Sequence, residues 1–215
     1  MYLPAHFEES RTQVLHELIT RHPLGMLVTH GGGGLDANHI PFLLDADGGL
    51  GVLHGHVARA NPVWQEADAQ EVLVVFRAAD GYISPNWYPS KHEFHRQVPT
   101  WNYQVVHAHG RIAFHDDEQQ VRAVVARLTR IHEAGEPHPW KMTDGARDYI
   151  DAMVKAVVAV EISITRLTGK WKLSQNKEAR DIRGAGEMLK ARGRDALGDA
   201  MLARAPPARD EGSGS

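Results

Sequence analysis

The 215-residue chain contains no cysteine, which excludes disulfides, Cys-ligated zinc, iron–sulfur clusters and thiol nucleophiles together. It has no apolar run near the roughly 18 to 20 residues a membrane span needs. Its opening Met1-Tyr2-Leu3-Pro4 leads into an acidic, amphipathic segment rather than a basic stretch followed by an apolar one, so a cytoplasmic location is expected. An excess of positive charge is also missing. The 24 Lys and Arg against 27 Asp and Glu give a net charge of −3, so nothing global draws the chain to nucleic acid, although a local patch is not forbidden. Gly-x-Ser-x-Gly does not occur. Ser174-Gln175-Asn176-Lys177 matches Ser-x-x-Lys, but without its Ser-Asp-Asn and Lys-Thr-Gly companions it reads as a chance match. What is present is ordinary for a soluble globular protein, with 42% hydrophobic and 24% charged residues.

Residues 1–9 read as a lead-in. Ser10 is placed to cap a helix whose Val14, Leu15, Leu18 and Ile19 share one face, and Pro23 ends it. Residues 25–30, 35–44 and 50–56 read as three strands joined by turns at 31–34 and 45–49, which implies an antiparallel meander. Residues 71–78 form a mostly apolar buried strand, Tyr82-Ile83 could open another, and 101–115 is the longest strand candidate. The period then becomes helical over 116–133, with Val121, Val124, Val125 and Leu128 on one face, and again over 143–153. Strict alternation over 158–165 marks a half-buried strand. Helix patterns follow over 177–192 and, more weakly, over 195–205, and 206–215 reads as a disordered tail or expression remnant. Hairpin-joined strands, late helices and a closing strand imply an α+β, mainly β fold: an antiparallel barrel or partly open barrel with peripheral helices. One domain is expected over 1–193, with a weak helix and tail over 194–215.

Five constellations bear on chemistry. The glycines 31–34 are followed by strand rather than helix, so they form a hairpin turn and not a phosphate cradle. In His54-Gly55-His56-Val57-Ala58-Arg59-Ala60-Asn61-Pro62 a strand runs into a turn, placing Arg59 and Asn61 beside free backbone N–H groups. That corner suits a phosphate, although a surface arginine ahead of an Asn-Pro turn has the same text. His54/His56 and His107/His109 each share a strand face, but no carboxylate stands at ligand spacing, so no metal site is assigned. In the stretch 82–103 the prolines at 85, 89 and 99 are expected to hold the backbone extended and non-helical. Trp87, Tyr88, Trp101 and Tyr103 could then wall a flat ligand with Thr100 and Asn102 at its edge, or plug a barrel end or dimer contact. The middle, 89–98, is expected to be its mobile portion, a lid. Residues 177–194 hold six basic and three acidic side chains, with no helix-turn-helix pattern beside them.

MYLPAHF, GHVARANP, YISPNWY, VPTWNY and GKWKLSQN, in that order, resemble the PaiB-type FMN-binding negative transcriptional regulators from Met1 to about Leu189. One departure is Ala78-Ala79-Asp80-Gly81, where that family usually shows a Gly-Pro element. The resemblance implies a split β-barrel like that of pyridoxamine 5′-phosphate oxidase, built as a homodimer with FMN in clefts between subunits. On this carry-over Arg59 and Asn61 hold the FMN phosphate with His56 near it, and Asn38, His39 and Ile40 line the isoalloxazine. Thr100, Trp101, Asn102 and Tyr103 complete the cleft with Lys172 and Gln175. The function implied is that of an FMN-binding protein of the split-barrel class, which the family name links to repression of transcription. The alternative is an NAD(P)H:flavin reductase or oxidase with an indirect regulatory effect, though no side chain is an obvious proton donor. Direct DNA binding has no support in the charge balance.

Overall fold

The computed structural model describes residues 1–206, so the expected tail over 207–215 lies outside the described residues. In chain order the elements are β1 (Glu8–Glu9), α1 (Thr12–Arg21), β2 (Leu24–Gly31), β3 (Gly34–Pro41), β4 (Leu43–Asp45), β5 (Val52–Ala58), α2 (Val63–Glu66) and β6 (Glu71–Ile83). There follow α3 (Pro89–Phe94), β7 (Thr100–His115), α4 (Glu118–Glu133), α5 (Arg147–Lys155), β8 (Val157–Lys172), α6 (Ala179–Lys190) and α7 (Asp195–Leu202). Single 3-10 turns stand at Ala5–Phe7, Pro85–Trp87 and Met142–Asp144. The strands form one sheet in the order β3-β2-β6-β7-β8-β5-β4, with β1 on β8. The described chain divides into two compact units, one of Met1–Ser10, Arg77–Val105 and residues 169–206, the other of Arg11–Phe76 and Val106–Thr168.

In the second unit, α1 buries Leu15, Leu18 and Ile19. Its N-cap is Arg11, without a side-chain bond, rather than Ser10. Strands β2 and β3 make a hairpin through a two-residue turn after Gly31, and Gly34 sits at φ +102°, a conformation that favours glycine. The three-strand meander is not formed. The Phe42 N–H donates to the Pro23 carbonyl at 2.9 Å and the Phe42 ring is buried edge-on to Phe76, so the chain leaves the hairpin after Pro41. Strand β4 then pairs with β5, and β5 pairs with β8 from Val52↔Ser163 to Ala58↔Val157. Helices α4 and α5 pack through Val121, Ile150 and Val154 on Ala159 of β8.

In the first unit, β6 runs on through Ile83 where a turn and a new strand were expected: the alternation of 71–77 lapses over 78–80 and resumes out of phase with Gly81 and Ile83 buried. Pro85 opens a 3-10 turn and Pro89 opens α3, each as the first helical residue. The extended, non-helical backbone inferred from these prolines is therefore incorrect: at that position the missing N–H would have had no intrahelical partner, and the fixed φ suits a helix. Strand β8 also extends past Thr165 through Gly-Lys-Trp-Lys, pairing with β1 at Glu8↔Lys170 and Glu9↔Gly169. Helix α7 is anchored by Leu197 and Met201, both buried.

Candidate functional site

In the second unit the end of β5 turns sharply, and its polar groups are largely matched within the chain. The Arg59 N–H donates to Ala156 O at 2.8 Å, Asn61 N–H to Ala58 O at 2.9 Å, and Val63 N–H to Asn61 Oδ1 at 3.0 Å. Of the free N–H groups inferred from the Asn-Pro turn, those of Asn61 and Val63 are thus engaged by the turn itself and that of Arg59 by the Ala156 carbonyl. Asn61 Nδ2 donates to Asn38 Oδ1 at 2.7 Å, which joins β3 to the corner, and Trp64 Nε1 donates to Arg59 O at 2.9 Å. The Arg59 guanidinium donates from Nε to Lys155 O at 2.6 Å, and from Nη2 to Val157 O at 3.3 Å and to the Asp116 carboxylate. Its Nη1 hydrogens have no partner among the described residues. The guanidinium holds the Asp116 carboxyl below the usual carboxylate range.

Two residues back along β5, His56 lines a cavity of about 410 Å³ walled by Val125, Trp140, Met142, Tyr149, Ile150, Met153 and Val154, with Ala156 and Val157 also lining it. Those last two residues adjoin the carbonyls that bind Arg59, so the guanidinium stands beside this cavity. His56 Nδ1 is buried and has no hydrogen-bond partner among the described residues. Burial pushes the His56 pKa below the ordinary histidine value, so the ring is neutral at pH 7. A buried, unpaired imidazole nitrogen is costly and calls for an explanation. His39 is exposed on β3, whereas the Ile40 side chain is buried.

The histidine pairs behave differently from one another. His54 lies 3.9 Å and His115 3.7 Å from Glu161, while the His107 and His109 rings are 6.5 Å apart. No group of three or more His, Cys, Asp or Glu side chains among the described residues is arranged to hold a metal ion.

In the first unit Lys172 Nζ donates to Thr100 Oγ1 and, at 2.5 Å, to Trp101 O. Burial, then Lys170 and Lys177, push the Lys172 pKa down. Asn102 is fully buried; its Nδ2 donates to Ser174 Oγ at 2.9 Å and its Oδ1 has no partner. The Tyr88 hydroxyl shares that Ser174 oxygen at 3.0 Å. Gln175 binds its own backbone neighbourhood, accepting from Leu173 N–H at 2.8 Å and donating to Trp171 O at 2.5 Å. The Tyr103 ring lies 5.7 Å from Lys170 Nζ. Trp101, more than half exposed, faces a separate cleft of about 780 Å³ with Tyr82, Trp87, Arg192 and Arg194.

The segment expected to be a mobile lid is instead tied down within this unit. Asp181 of α6, 1% exposed, accepts from Ser90 N–H at 3.0 Å and from Ser90 Oγ at 2.6 Å. Arg180 grips Glu93 through two bonds of 2.5 and 2.7 Å, and Lys177 donates to Gln97 at 2.7 Å.

The side chains around His56 were missed in the sequence because Trp140 stands in a Pro-rich loop and Tyr149 and Met153 read as one face of a helix. The signal available was an aromatic directly after two prolines, Pro137 and Pro139, together with a histidine-bearing strand.

Residues 1–166 match a family model described as "Putative FMN-binding domain". The chain belongs to the PaiB-type FMN-binding family. Among its relatives, a protein of Emericella nidulans is 33% identical, covering 81% of this chain and 84% of that protein. The Bacillus subtilis protease synthase and sporulation protein PAI 2 is 27% identical over 88% of this chain and 89% of its own length. In fold, the flavocytochrome Anf3 of Azotobacter vinelandii matches with a TM-score of 0.59 at 13% identity, covering 77% of this chain and 69% of that one. The FAD and heme binding protein of Mycobacterium smegmatis matches at 0.54 and 17% identity, covering 76% and 71%. The fold is the mainly β, antiparallel split-barrel type with helices, and FMN is the cofactor of the family to which the chain belongs. No helix among the described residues is long and apolar enough to cross a membrane.

Proposed function

We propose that the second unit holds FMN with its phosphate at Arg59 and its ring system in the His56 cavity. The observation that carries this is the unpaired His56 Nδ1, buried in an aromatic and apolar cavity beside a guanidinium that retains two unmatched hydrogens. The donor set fits the group: a flat ring takes the Trp140 and Tyr149 walls, a ring heteroatom takes the histidine, and the dianion takes the arginine fork. Asn61 and Asn38, joined to each other, flank the phosphate end, with His39 beyond them on β3. Ile40, its side chain buried, offers only main chain. Of the first-unit residues carried over from the family resemblance, Thr100, Asn102, Lys172 and Gln175 hydrogen-bond within that unit as described above, and this reading draws on none of the six, Trp101 and Tyr103 included.

Bound FMN supplies reversible hydride or electron transfer, while the protein's share is binding, orientation and exclusion of water. His56, kept neutral by burial, presents one donor or acceptor without adding charge beside the ring. Asp116 occupies the Arg59 fork in its place until a phosphate displaces it.

Regulation, in this reading, acts through the flavin-bound state rather than through reading of DNA by α6. The basic residues of that helix are engaged: Arg180 pairs with Glu93 and Glu178, and Lys190 with Asp199. The oxidoreductase alternative is separated by anaerobic bleaching of the bound flavin with NADH or NADPH. We further propose a homodimer through the edge hairpin β2–β3, which exposes Leu24 and Leu35 by 59% and 78%. Light scattering that gives a monomer mass would remove that proposal.

The decisive experiment pairs FMN with riboflavin. Arg59→Ala weakens FMN far more than riboflavin, whereas His56→Ala weakens both alike. FMN at a hundredfold over its dissociation constant raises stability by about 2.7 kcal/mol. A colourless protein with no thermal response to FMN would sink the proposal, and equal losses for both ligands in Arg59→Ala would move the phosphate elsewhere.

A further inference from the structure

The first unit carries a second cleft of about 780 Å³, with Tyr82, Trp87 and Trp101 as walls and Arg192 and Arg194 at its rim. Tyr82 and Trp101 stand edge to face, their centroids 6.3 Å apart, and both remain substantially exposed at 45% and 55%. The Arg192 guanidinium lies 4.9 Å from the Trp87 ring centroid, so one wall already pairs a cation with an aromatic face. Arg194 donates only weakly, from Nη1 to Asp80 O at 3.5 Å. No carboxylate lines the cleft among the described residues, and Asp80, next to the lining Gly81, pairs with Arg77 at 2.5 Å. Two arginines with no opposing acid make this a cationic pocket in a chain of net charge −3.

The shape and the charge select the same ligand. Exposed indole and phenol faces favour a flat ring by stacking, and arginines favour the planar, bidentate recognition of phosphate. We propose that this cleft binds a planar aromatic ring bearing a phosphate, the chemistry of a mononucleotide, as a site separate from that for FMN. Arg192 and Arg194 lie beyond residue 166, where the FMN-binding family match ends, so the cation pair is not part of that match. The volume accommodates a mononucleotide within the usual range for ligand pockets.

The test is calorimetric titration of the FMN-loaded protein with AMP and with adenosine. AMP binds saturably with FMN retained, and adenosine binds about tenfold or more weakly, since it lacks the phosphate. Arg192→Ala lowers AMP affinity by about tenfold while FMN retention and melting temperature stay as in the parent. Trp101→Ala, at an exposed position, provides the second variant and lowers AMP and adenosine affinity alike. The proposal is overturned if AMP gives no saturable heat, if AMP expels FMN in a one-for-one exchange, or if both variants bind AMP as the parent does. Should the protein take up no FMN, the same titration on the flavin-free chain still decides the cleft.

Discussion

Replacing Asp181 with alanine removes the only carboxylate among the described residues that meets Ser90, and the size of the effect follows from the geometry. Asp181 is 1% and Ser90 3% exposed. The carboxylate accepts from Ser90 N–H at 3.0 Å, Ser90 Oγ at 2.6 Å and, at 3.3 Å, Gln97 Nε2. Hydrogen bonds to a charged group contribute roughly 1.5–3 kcal/mol each, and leaving their buried partners unmatched costs about 1–3 kcal/mol per group. These ranges describe the same loss from two sides and are not summed. A water entering the space left by the side chain recovers part of it. About 3 kcal/mol is the expected net destabilisation of Asp181→Ala, against roughly 1–2 kcal/mol for Asp181→Asn, which keeps one acceptor. At about 2–4 °C per kcal/mol for a chain of this length, the alanine variant melts roughly 6–12 °C lower. Urea unfolding followed by circular dichroism measures the first quantity and a thermal melt the second. A loss below about 0.5 kcal/mol would show that α3 is not held through this carboxylate. Arg180→Ala serves as the contrast. Its pairing with Glu93 is solvent-exposed, so it shifts the melt far less than Asp181→Ala does.

Three further outcomes are expected. Asp116→Asn frees the Arg59 fork from its carboxylate, so FMN and inorganic phosphate bind several-fold more tightly; unchanged titrations would place the phosphate away from Arg59. Gly184→Ala puts a Cβ 2.6 Å from Trp87 O and 3.0 Å from Pro89 Cδ, where backbone and ring cannot yield. It costs about 1–3 kcal/mol and perturbs the near-ultraviolet signal of Trp87. Burial pushes His56, His107 and His54 below the usual histidine pKa, so the unfolded chain takes up protons that the folded one resists. Stability is therefore full above the unfolded value near 6.5 and falls as the pH drops from there through the lowered folded values. His56→Gln makes that acid decline shallower, as measured by urea midpoints across the range, and a decline identical to the parent's would show that His56 does not titrate on unfolding.

Much of the fold was legible because local pattern and tertiary role coincide. The alternation of Val158, Val160, Ile162 and Ile164 against Glu161 and Ser163 marks β8, since one face meets the core, while the other is covered by α4 and α5 only at Ala159 and opens toward Ser163. The spacing of Val121 and Leu128 marks α4 for the same reason. The failures occurred where long-range contacts decide. Nothing in Ala78-Ala79-Asp80-Gly81 distinguishes a turn from the continuation of β6, because the choice rests on Ile83 being buried five residues further on. Pro85 and Pro89 carry the text of an extended loop, yet proline is equally suited to the first position of a helix, and only Ser90 meeting Asp181, 91 residues away, selects that use. The same physics limits the site. Arg59 and Asn61 could be named from their turn and Asn38 only from the family resemblance, but the N–H groups of Arg59, Asn61 and Val63 are taken by the Ala156 and Ala58 carbonyls and by the Asn61 side chain. Among the described residues, the Arg59 guanidinium keeps unmatched donors at its Nη1. The unpaired group that gives the cavity its direction is His56 Nδ1, and what leaves it unpaired is the packing of Trp140, Tyr149 and Met153 around it. A histidine two residues along a strand from another histidine reads as a wet-face residue until α4 and α5 cover it, and that covering turns a tolerated side chain into a buried, neutral one with an open hydrogen-bonding position.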